Sequence, residues 1–285
     1  MTFGADCGRQ TVMIIQEVAD MKIAVCIKQV PDTDDVKMDR KTGTLKRSEV
    51  SGILNPEDMS AVRMAAALRR EMEKKGEKSS LTAITMGPPA ASEVLREAMA
   101  CGADEGILLC DRAFAGGDTF ATSLVLAEAV KKAGGFSVIF TGRQITDGET
   151  GHVGPQLAEH LGIGQLTLVK RVNWNGRLTA VRRFEGCLQT VECDTPAVIV
   201  CSGEESAFES IPIGAICKAC EKQLIIWDCG QLGLLPEEIG LCGSRTAVRR
   251  TFLPQSAPKG RMLEGNMEEM AQTLANELRK RVNQK

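Results

Sequence analysis

The sequence predicts an α/β protein: a mostly parallel sheet with helices on both faces, followed by an extended C-terminal arm and a helix. Three observations predict it. From Met21 onward, short apolar runs rich in β-branched residues alternate with longer runs whose apolar residues recur every three or four positions. The changes of pattern fall at Gly, Pro, Asn and Asp. Near the end, an extended basic stretch precedes a last amphipathic run.

The first half of the chain is predicted to contain four strand–helix pairs. The strands are 22–30, 79–87, 105–110 and 136–142, and the helices are 56–76, 88–102, 117–135 and 150–162. Asn55 is the expected N-cap of the first helix, with Pro56 in its first turn and Gly76 at its end. Asp118 or Thr119 is expected to cap the third helix. Repeated strand–helix pairs indicate a parallel sheet covered on both faces, with ligands at the strand tips.

The alternation of strand and helix patterns ends after about residue 170. A strand over 165–172 is followed by turn signals at Asn175-Gly176 and near Glu185-Gly186. They indicate strands that either extend the same sheet or form a small antiparallel addition. Residues 202–235 are predicted to be rich in loops.

The C-terminal part has its own organisation. We interpret 247–260 as an arm that lies on another surface, and 266–283 as a helix. Met267, Met270, Leu274 and Leu278 share one face of that helix. We therefore divide the chain into an extension at 1–20, an α/β domain at 21–230, and a C-terminal arm and helix at 231–285. The pattern alone favours a surface helix docked on its own domain, and packing on a partner is the alternative.

The first twenty residues do not fit the pattern that follows them. They have no basic cluster and no clear apolar segment of a secretory signal. Gln16-Glu17-Val18 can be encoded by a ribosome-binding sequence just before the Met21 codon. Translation is therefore expected to begin at Met21, and a native intact mass that includes 1–20 would refute this. The alternative is a genuine extension.

Composition excludes several classes of function. A net charge of −2 over 285 residues gives no indication of binding to nucleic acid or to an anionic membrane. No apolar run is long enough to span a bilayer. Tyrosine is absent and only two histidines are present, which leaves little material for histidine-based acid–base catalysis.

Eleven scattered cysteines, without a signal peptide, are typical of reduced thiols. We expect the protein in the cytoplasm, for example that of an anaerobe. Cys217 and Cys220 form an isolated C-x-x-C pair. Because no second pair lies at zinc spacing, we favour coincidence over a metal or redox site.

Residues 142–156 join a predicted strand to a predicted helix, and four of them are glycine. Such a junction exposes backbone N–H groups at a helix N-terminus, where an anion is favoured. A nucleotide phosphate site is one interpretation. A glycine-rich turn with Thr150 as N-cap and Pro155 in the first turn is the other, and the stretch alone favours neither.

The order and spacing of several segments resemble the β subunit of electron-transferring flavoproteins. These segments are "MKIAVCIKQVPDT", "ILNPEDMSAV", "TMGPP", "VLREAMACGAD", "DRAFAGGDTFAT" and "GRQITDGETGHVGPQLAEHLGI". The resemblance runs from Met21 to the C-terminus. It implies a Rossmann-like, adenine-nucleotide-binding domain that pairs with an α subunit holding FAD. The segments "VPDT" and "DRAFAGGDT" are similar to the branch that performs electron bifurcation.

The resemblance also implies cofactor-binding residues, in which the loop amides and Thr150 hold phosphate. Asp118 and Thr119 have helix capping as their alternative role. No catalytic residue and no metal ligand is implied. The implied contacts are Cys26, Asn55, Asp58, Met86, Asp118, Thr119, Thr122, Gly142, Arg143, Gln144, Asp147, Gly148, Glu149, Thr150, Gly151, His152 and Val153.

Some positions depart from the family pattern. His152 stands where Gln is usual, and we favour a hydrogen-bonding role for it over a catalytic one. The loop at 203–212, which resembles the segment that contacts a dehydrogenase, lacks the usual Arg. Arg245 replaces a usual Pro.

The resemblance implies an electron-transfer subunit rather than a stand-alone enzyme. In the bifurcating interpretation the site holds FAD, NADH is the donor, and ferredoxin or flavodoxin is one acceptor. An acyl-CoA dehydrogenase-type flavoenzyme, reached through the α-subunit FAD and contacted by 203–212, is the other. In the alternative, the site holds AMP in a simple electron carrier. An adenylate-forming enzyme and a stand-alone nucleotide sensor are rivals, but the S-G-G-x-D-S and H-x-G-H motifs of the first are absent.

Overall fold

A computed structural model describes residues 20–32, 52–203, 210–249, 260 and 262–282. The expectations for residues 1–19, for most of the loop 203–212 and for most of the arm 247–260 lie outside these residues. The chain forms two compact units, Met1–Ala247 and Val248–Lys285. The predicted division at residue 230 stays a prediction.

Eleven strands lie in the described part of the chain. They are β1 Met21–Ile27, β2 Gln29–Pro31, β3 Gly52–Leu54, β4 Ser79–Met86, β5 Glu105–Leu109, β6 Val138–Gly142, β7 Gly164–Trp174, β8 Leu178–Phe184, β9 Cys187–Cys193, β10 Ala197–Cys201 and β11 Ile225–Trp227. Nine of them form one sheet in the order β11-β5-β4-β1-β6-β10-β7-β8-β9, and β2 pairs with β3.

The sheet is parallel from β11 to β7, and β8 and β9 are added antiparallel. The predicted mostly parallel sheet is therefore confirmed. The turns at Asn175-Gly176 and Glu185-Gly186 join β7, β8 and β9, so these strands extend the same sheet. Glu185 and Gly186 both have positive φ, 50° and 80°, as a tight hairpin turn requires.

The described ranges also contain seven α-helices. They are α1 Pro56–Lys74, α2 Ser92–Ala100, α3 Thr119–Lys132, α4 Val153–Leu161, α5 Ile213–Glu221, α6 Gly240–Gly243 and α7 Met267–Val282. Asp118 caps α3 as predicted, and its side chain accepts a hydrogen bond from the Ala121 amide. Thr150 does not cap α4: the helix begins at Val153, and His152 holds the N-cap position. The predicted loop-rich region contains α5 and β11.

Two apolar clusters lie on opposite faces of the sheet. Successive residues of a strand point to opposite faces, so Ile23 and Val25 join one cluster, and Ala24 and Cys26 join the other. Helices α1 and α2 cover the first cluster, and α3 and α4 cover the second. Because β1 is buried on both faces, its sequence is a nearly continuous apolar run.

The strand order places a crevice beside β1. The chain runs from β1 to β4 and β5 on one side, and α3 then carries it back to β6 on the other side of β1. Ligands of open α/β sheets bind outside the carboxyl ends of the strands at such a reversal. The crevice therefore lies where β1 and β6 end, at Ile27 and Gly142.

None of the helices described in the structure combines the length and the apolar character needed to cross a membrane.

Candidate functional site

The first turn of α1 meets the loop that follows β6. Asn55 is fully buried, and its Nδ2 donates to the backbone oxygen of Gln144 at 2.9 Å. Its backbone N–H donates to the Lys28 oxygen, also at 2.9 Å. Asn55 thus holds the predicted N-cap position without making a side-chain cap bond. Its side chain instead holds the loop.

Asp58 joins the ends of the two strands that flank the crevice. Its Oδ2 accepts from the Lys28 amide, just after β1, at 2.9 Å, and its Oδ1 accepts from the Gly142 amide at the end of β6 at 3.1 Å. The carboxyl is 6% exposed. Burial raises the pKa of Asp58 to about 7, against hydrogen bonds from Lys28, Asn55 and Gly142 that lower it.

Glu57 completes the contact between α1 and the loop. One carboxylate oxygen accepts from the Gln144 amide at 3.1 Å, and the other lies 3.4 Å from the Arg143 guanidinium. Together with Asn55 and Asp58, Glu57 fixes three consecutive loop residues. Sequence reasoning missed Glu57, because an acid in a first helical turn is explained by the helix dipole alone.

Gly142 is required by this close approach. A Cβ at this position would lie 2.2 Å from Asp58 Oδ1 and 2.9 Å from the Asp58 nitrogen. The second distance matters most, because a backbone atom in a helix cannot move aside as a flexible side chain can. Glycine therefore allows β6 to end against the first turn of α1.

Beyond Gln144 the loop closes into a turn. The Ile145 oxygen accepts from the amides of Gly148, at 3.4 Å, and Glu149, at 2.9 Å. Lys28 Nζ forms an ion pair with Asp147 at 2.8 Å, which ties the turn to the end of β1. Lys28 was also missed, although its place directly after a buried strand was a usable signal.

The loop then enters α4 through residues with left-handed backbone. Glu149 and Gly151 have φ of 48° and 70°. Gly154 allows the start of α4 to pack closely on the sheet, since a Cβ there would lie 2.6 Å from Thr141 Oγ1. The amides of Val153 and Gly154 belong to the first helical turn, which has no intrahelical acceptor for them. Left-handed residues followed by a helix N-terminus form a cradle that favours an anion.

The donor set suits a ligand with phosphate groups. Backbone amides of the loop and of α4 would face the anion. Lys28 and Arg143 lie nearby, each paired with a carboxylate, Asp147 and Glu57 respectively. Within the described residues, the buried Asn55 Oδ1 and Thr141 Oγ1 have no hydrogen-bond partner. Polar atoms of this kind, beside a phosphate cradle, fit a ligand with hydroxyl and amino groups.

Cys26 and Met86 lie at the ends of neighbouring strands. Cys26 is 6% exposed, and its side chain packs in the cluster under α3 and α4. Burial raises the pKa of its thiol to about 12, and the Asp58 charge adds to this. Met86 ends β4 and packs partly against the same cluster.

The start of α3 forms a separate group. Asp118 Oδ1 caps the helix, and Oδ2 accepts from the backbone of Arg245 and Thr246. Thr119 and Thr122 are partly exposed in the same turn. The described hydrogen bonds thus join Asn55, Asp58 and Asp147 to the loop and its flanking strand, whereas they join Asp118 to residues near the end of the first unit.

The C-x-x-C pair lies on α5, where Cys217 and Cys220 are both exposed. Over the described ranges, no three His, Cys, Asp or Glu side chains gather in a way that could hold a metal ion.

Comparison with known proteins gives the family. Residues 42–224 match the electron transfer flavoprotein domain. The chain is 41% identical over 263 residues, 92% of this chain and 99% of the relative, to the caffeyl-CoA reductase-Etf complex subunit CarD of Acetobacterium woodii. It is also 41% identical over 263 residues, with the same coverage, to the electron transfer flavoprotein subunit beta of Thermoanaerobacterium thermosaccharolyticum.

A third relative has a name that refers to an acyl-CoA reductase. It is the acryloyl-CoA reductase electron transfer subunit gamma of Anaerotignum propionicum, 38% identical over 266 residues, 90% of this chain and 98% of the relative. Identities at this level over nearly whole chains, together with the matched domain, establish kinship. The chain belongs to the electron transfer flavoprotein beta subunit family.

Proposed function

We propose that this chain acts in a heterodimer with an electron transfer flavoprotein alpha subunit and binds the adenosine diphosphate part of FAD where β1 and β6 end. The observation that carries the proposal is the loop 142–152, which the first turn of α1 holds beside the end of β1. It presents backbone amides at the sheet edge where α/β proteins bind nucleotides. The family membership supports a flavin nucleotide as the ligand.

The residues of the proposed site would have different roles in binding the nucleotide. The amides from Thr150 to Val153 and the Thr150 hydroxyl bind phosphate oxygens, whereas the amides of Gly148 and Glu149 donate to Ile145 and shape the turn. Lys28, paired with Asp147, lies beside them. Asn55, Glu57 and Asp58 hold the loop in shape rather than touching phosphate. Cys26 and Met86 line the strand tips beside the nucleoside, and His152, exposed at the start of α4, donates to the ligand.

The protein would supply binding and orientation, and a bound flavin would supply the chemistry of hydride transfer from NADH and of one-electron transfer to two acceptors. Ferredoxin or flavodoxin would be one acceptor. An acyl-CoA dehydrogenase-type flavoenzyme, reached through the FAD of the alpha subunit, would be the other. The relatives named for caffeyl-CoA and acryloyl-CoA reductases support an acyl-CoA partner. We propose that 203–212 contacts this partner, in the cytoplasm.

A non-bifurcating carrier is the second candidate. There the same loop would bind the phosphate of AMP, and only the alpha subunit would carry FAD. The hydrogen bonds from α1 to the loop fit both candidates equally. They position the backbone amides, and this position is the same for one phosphate group as for two.

Nucleotide content separates the two candidates. The co-expressed heterodimer is denatured, and the released nucleotides are separated by chromatography. We expect two FAD and no AMP per heterodimer. One FAD with one AMP would reject bifurcation and leave the simple carrier. A heterodimer with neither nucleotide at this site would reject the proposed site itself.

A further inference from the structure

A four-donor cluster surrounds one carboxylate at the start of α3. Asp118 Oδ1 accepts from the Ala121 amide at 3.0 Å. Its Oδ2 accepts from the amides of Arg245 and Thr246, both at 2.8 Å, and from the Thr246 hydroxyl at 3.0 Å. A carboxylate has about four lone-pair positions. Protein donors therefore use the acceptor capacity of Asp118.

The same segment is fixed from the other side of Asp118. The Asp118 amide donates to Ser244 Oγ at 2.9 Å, and Ser244 Oγ donates to the Gly240 oxygen at 2.8 Å. Gly240 has a φ of 57°, and a Cβ there would lie 2.0 Å from the Ala113 oxygen. The Leu241 amide also donates to the Ala115 oxygen at 3.1 Å. The segment 240–246 thus interlocks with the loop before α3.

Aromatic contacts extend this anchor to α4. The Arg245 guanidinium lies 4.7 Å from the centre of the Phe120 ring, a cation–π distance. The Phe120 ring meets the His160 ring edge-on at 5.0 Å. The Arg245 side chain therefore adds a contact to the backbone bonds that Asp118 accepts.

We infer that Asp118 is a positioning residue that fixes where the C-terminal segment leaves the first unit, and is not a ligand of the nucleotide. The first unit ends at Ala247, one residue after the last donor to Asp118. The negative charge of this carboxylate would repel a phosphate placed near it. A hydroxyl of the ligand would find no free acceptor position on it. This role rests on the proposed function in one respect, since the part of the chain that follows Ala247 is taken to bind the alpha subunit.

Asp118→Asn tests the anchor without removing the helix cap. Asn is as good an N-cap as Asp, so its oxygen can still accept from Ala121. Its NH₂ group, however, then faces the three donors of Arg245 and Thr246. We expect hydrogen exchange at these two amides, measured by NMR on the full chain, to become at least about tenfold faster, because their acceptor is lost.

Asp111→Asn is the matched control. Asp111 caps the turn in the same loop and accepts from the Ala113 and Cys229 amides, at 2.9 and 3.1 Å. Among the described residues, its hydrogen bonds do not include 245–246. This variant should leave exchange at Arg245 and Thr246 unchanged. Unchanged exchange in Asp118→Asn would overturn the anchor.

Two further measurements on the co-expressed heterodimer test what the anchor is for. Asp118→Asn should retain its nucleotide content and should bind the alpha subunit about tenfold or more weakly. Loss of nucleotide with the subunits still tightly associated would overturn the assignment and return Asp118 to the cofactor site. Faster exchange with unchanged subunit affinity would keep the anchor but overturn its part in partner binding. A wild-type chain that associates with no alpha subunit would instead refute the proposed function.

Discussion

Gly142→Ala should lose most nucleotide binding while the sheet still folds. The added Cβ would lie 2.2 Å from Asp58 Oδ1 and 2.9 Å from the Asp58 nitrogen, so the loop must move away from α1. Overpacking of this kind costs about 1–3 kcal/mol of stability. The hydrogen bond from the Gly142 amide to Asp58 would be lost with it. We expect nucleotide affinity of the heterodimer, measured by calorimetry, to fall by at least about tenfold, which is 1.4 kcal/mol.

Gly164→Ala is the control for this change. Gly164 opens β7, and a Cβ there would meet no atom within 4 Å. It should leave nucleotide affinity and stability near those of the wild type. Equal affinities for Gly142→Ala and Gly164→Ala would show that the approach of β6 to α1 does not shape the site.

Asp58 should make the stability of the protein fall as pH rises towards neutrality. Burial raises its folded-state pKa to about 7, whereas an unfolded Asp titrates near about 3.9. Between these values the folded chain binds a proton that the unfolded chain has released. The free energy of unfolding therefore decreases with increasing pH in this window, by up to about 1.4 kcal/mol per pH unit from this group. Below the window the full contribution is present, and above it the contribution is lost.

Asp58→Asn isolates this effect, because Asn does not titrate. Urea unfolding of both proteins at pH 5, 6, 7 and 8 gives the difference in free energy of unfolding at each pH. The wild type should lose stability relative to Asp58→Asn from pH 5 to 7 and then level off. A difference that stays constant over this range would show that Asp58 is ionised throughout.

Local patterns in the sequence were sufficient for most of the fold. The run Met21–Ile27 is apolar at nearly every position because β1 is central and buried on both faces. Helix α1 follows its Asn55-Pro56 start, and the Asn175-Gly176 turn places β7 and β8 side by side. In each case the residues that determine the element lie within it or next to it.

Helix α5 could not be predicted in this way. It begins after Pro212, and the carbonyls of Ala219, Cys220 and Lys222 at its end accept from the Arg96 guanidinium on α2. The two partners of this contact are more than a hundred residues apart in sequence, so no local pattern predicts it. A helix of nine residues is marginal by itself and depends on such tertiary support.

The same limit applies to the candidate site. The loop 142–153 was predicted, because its glycines and the following helix are adjacent in sequence. The first turn of α1 was included only through the resemblance, and Glu57 and Lys28 were missed. One of the two interpretations of the loop made Thr150 the cap of α4, but its hydroxyl donates to the Gly148 oxygen at 3.3 Å, inside the turn. The start of the helix is instead determined by the close approach of Gly154 to Thr141, near the carboxyl end of β6.

The hydrogen bonds between α1 and the loop also determine when the site can assemble. Asp58 and Gly142 are 84 residues apart in sequence, and Asn55 and Gln144 are 89 apart. At a synthesis rate of about 5–20 residues per second, α1 leaves the ribosome several seconds before its partner. Contacts of such long range close late in folding. The proposed nucleotide site therefore cannot form in a growing chain until β6 has joined β1, and β10 and β7 still have to join the parallel sheet after that.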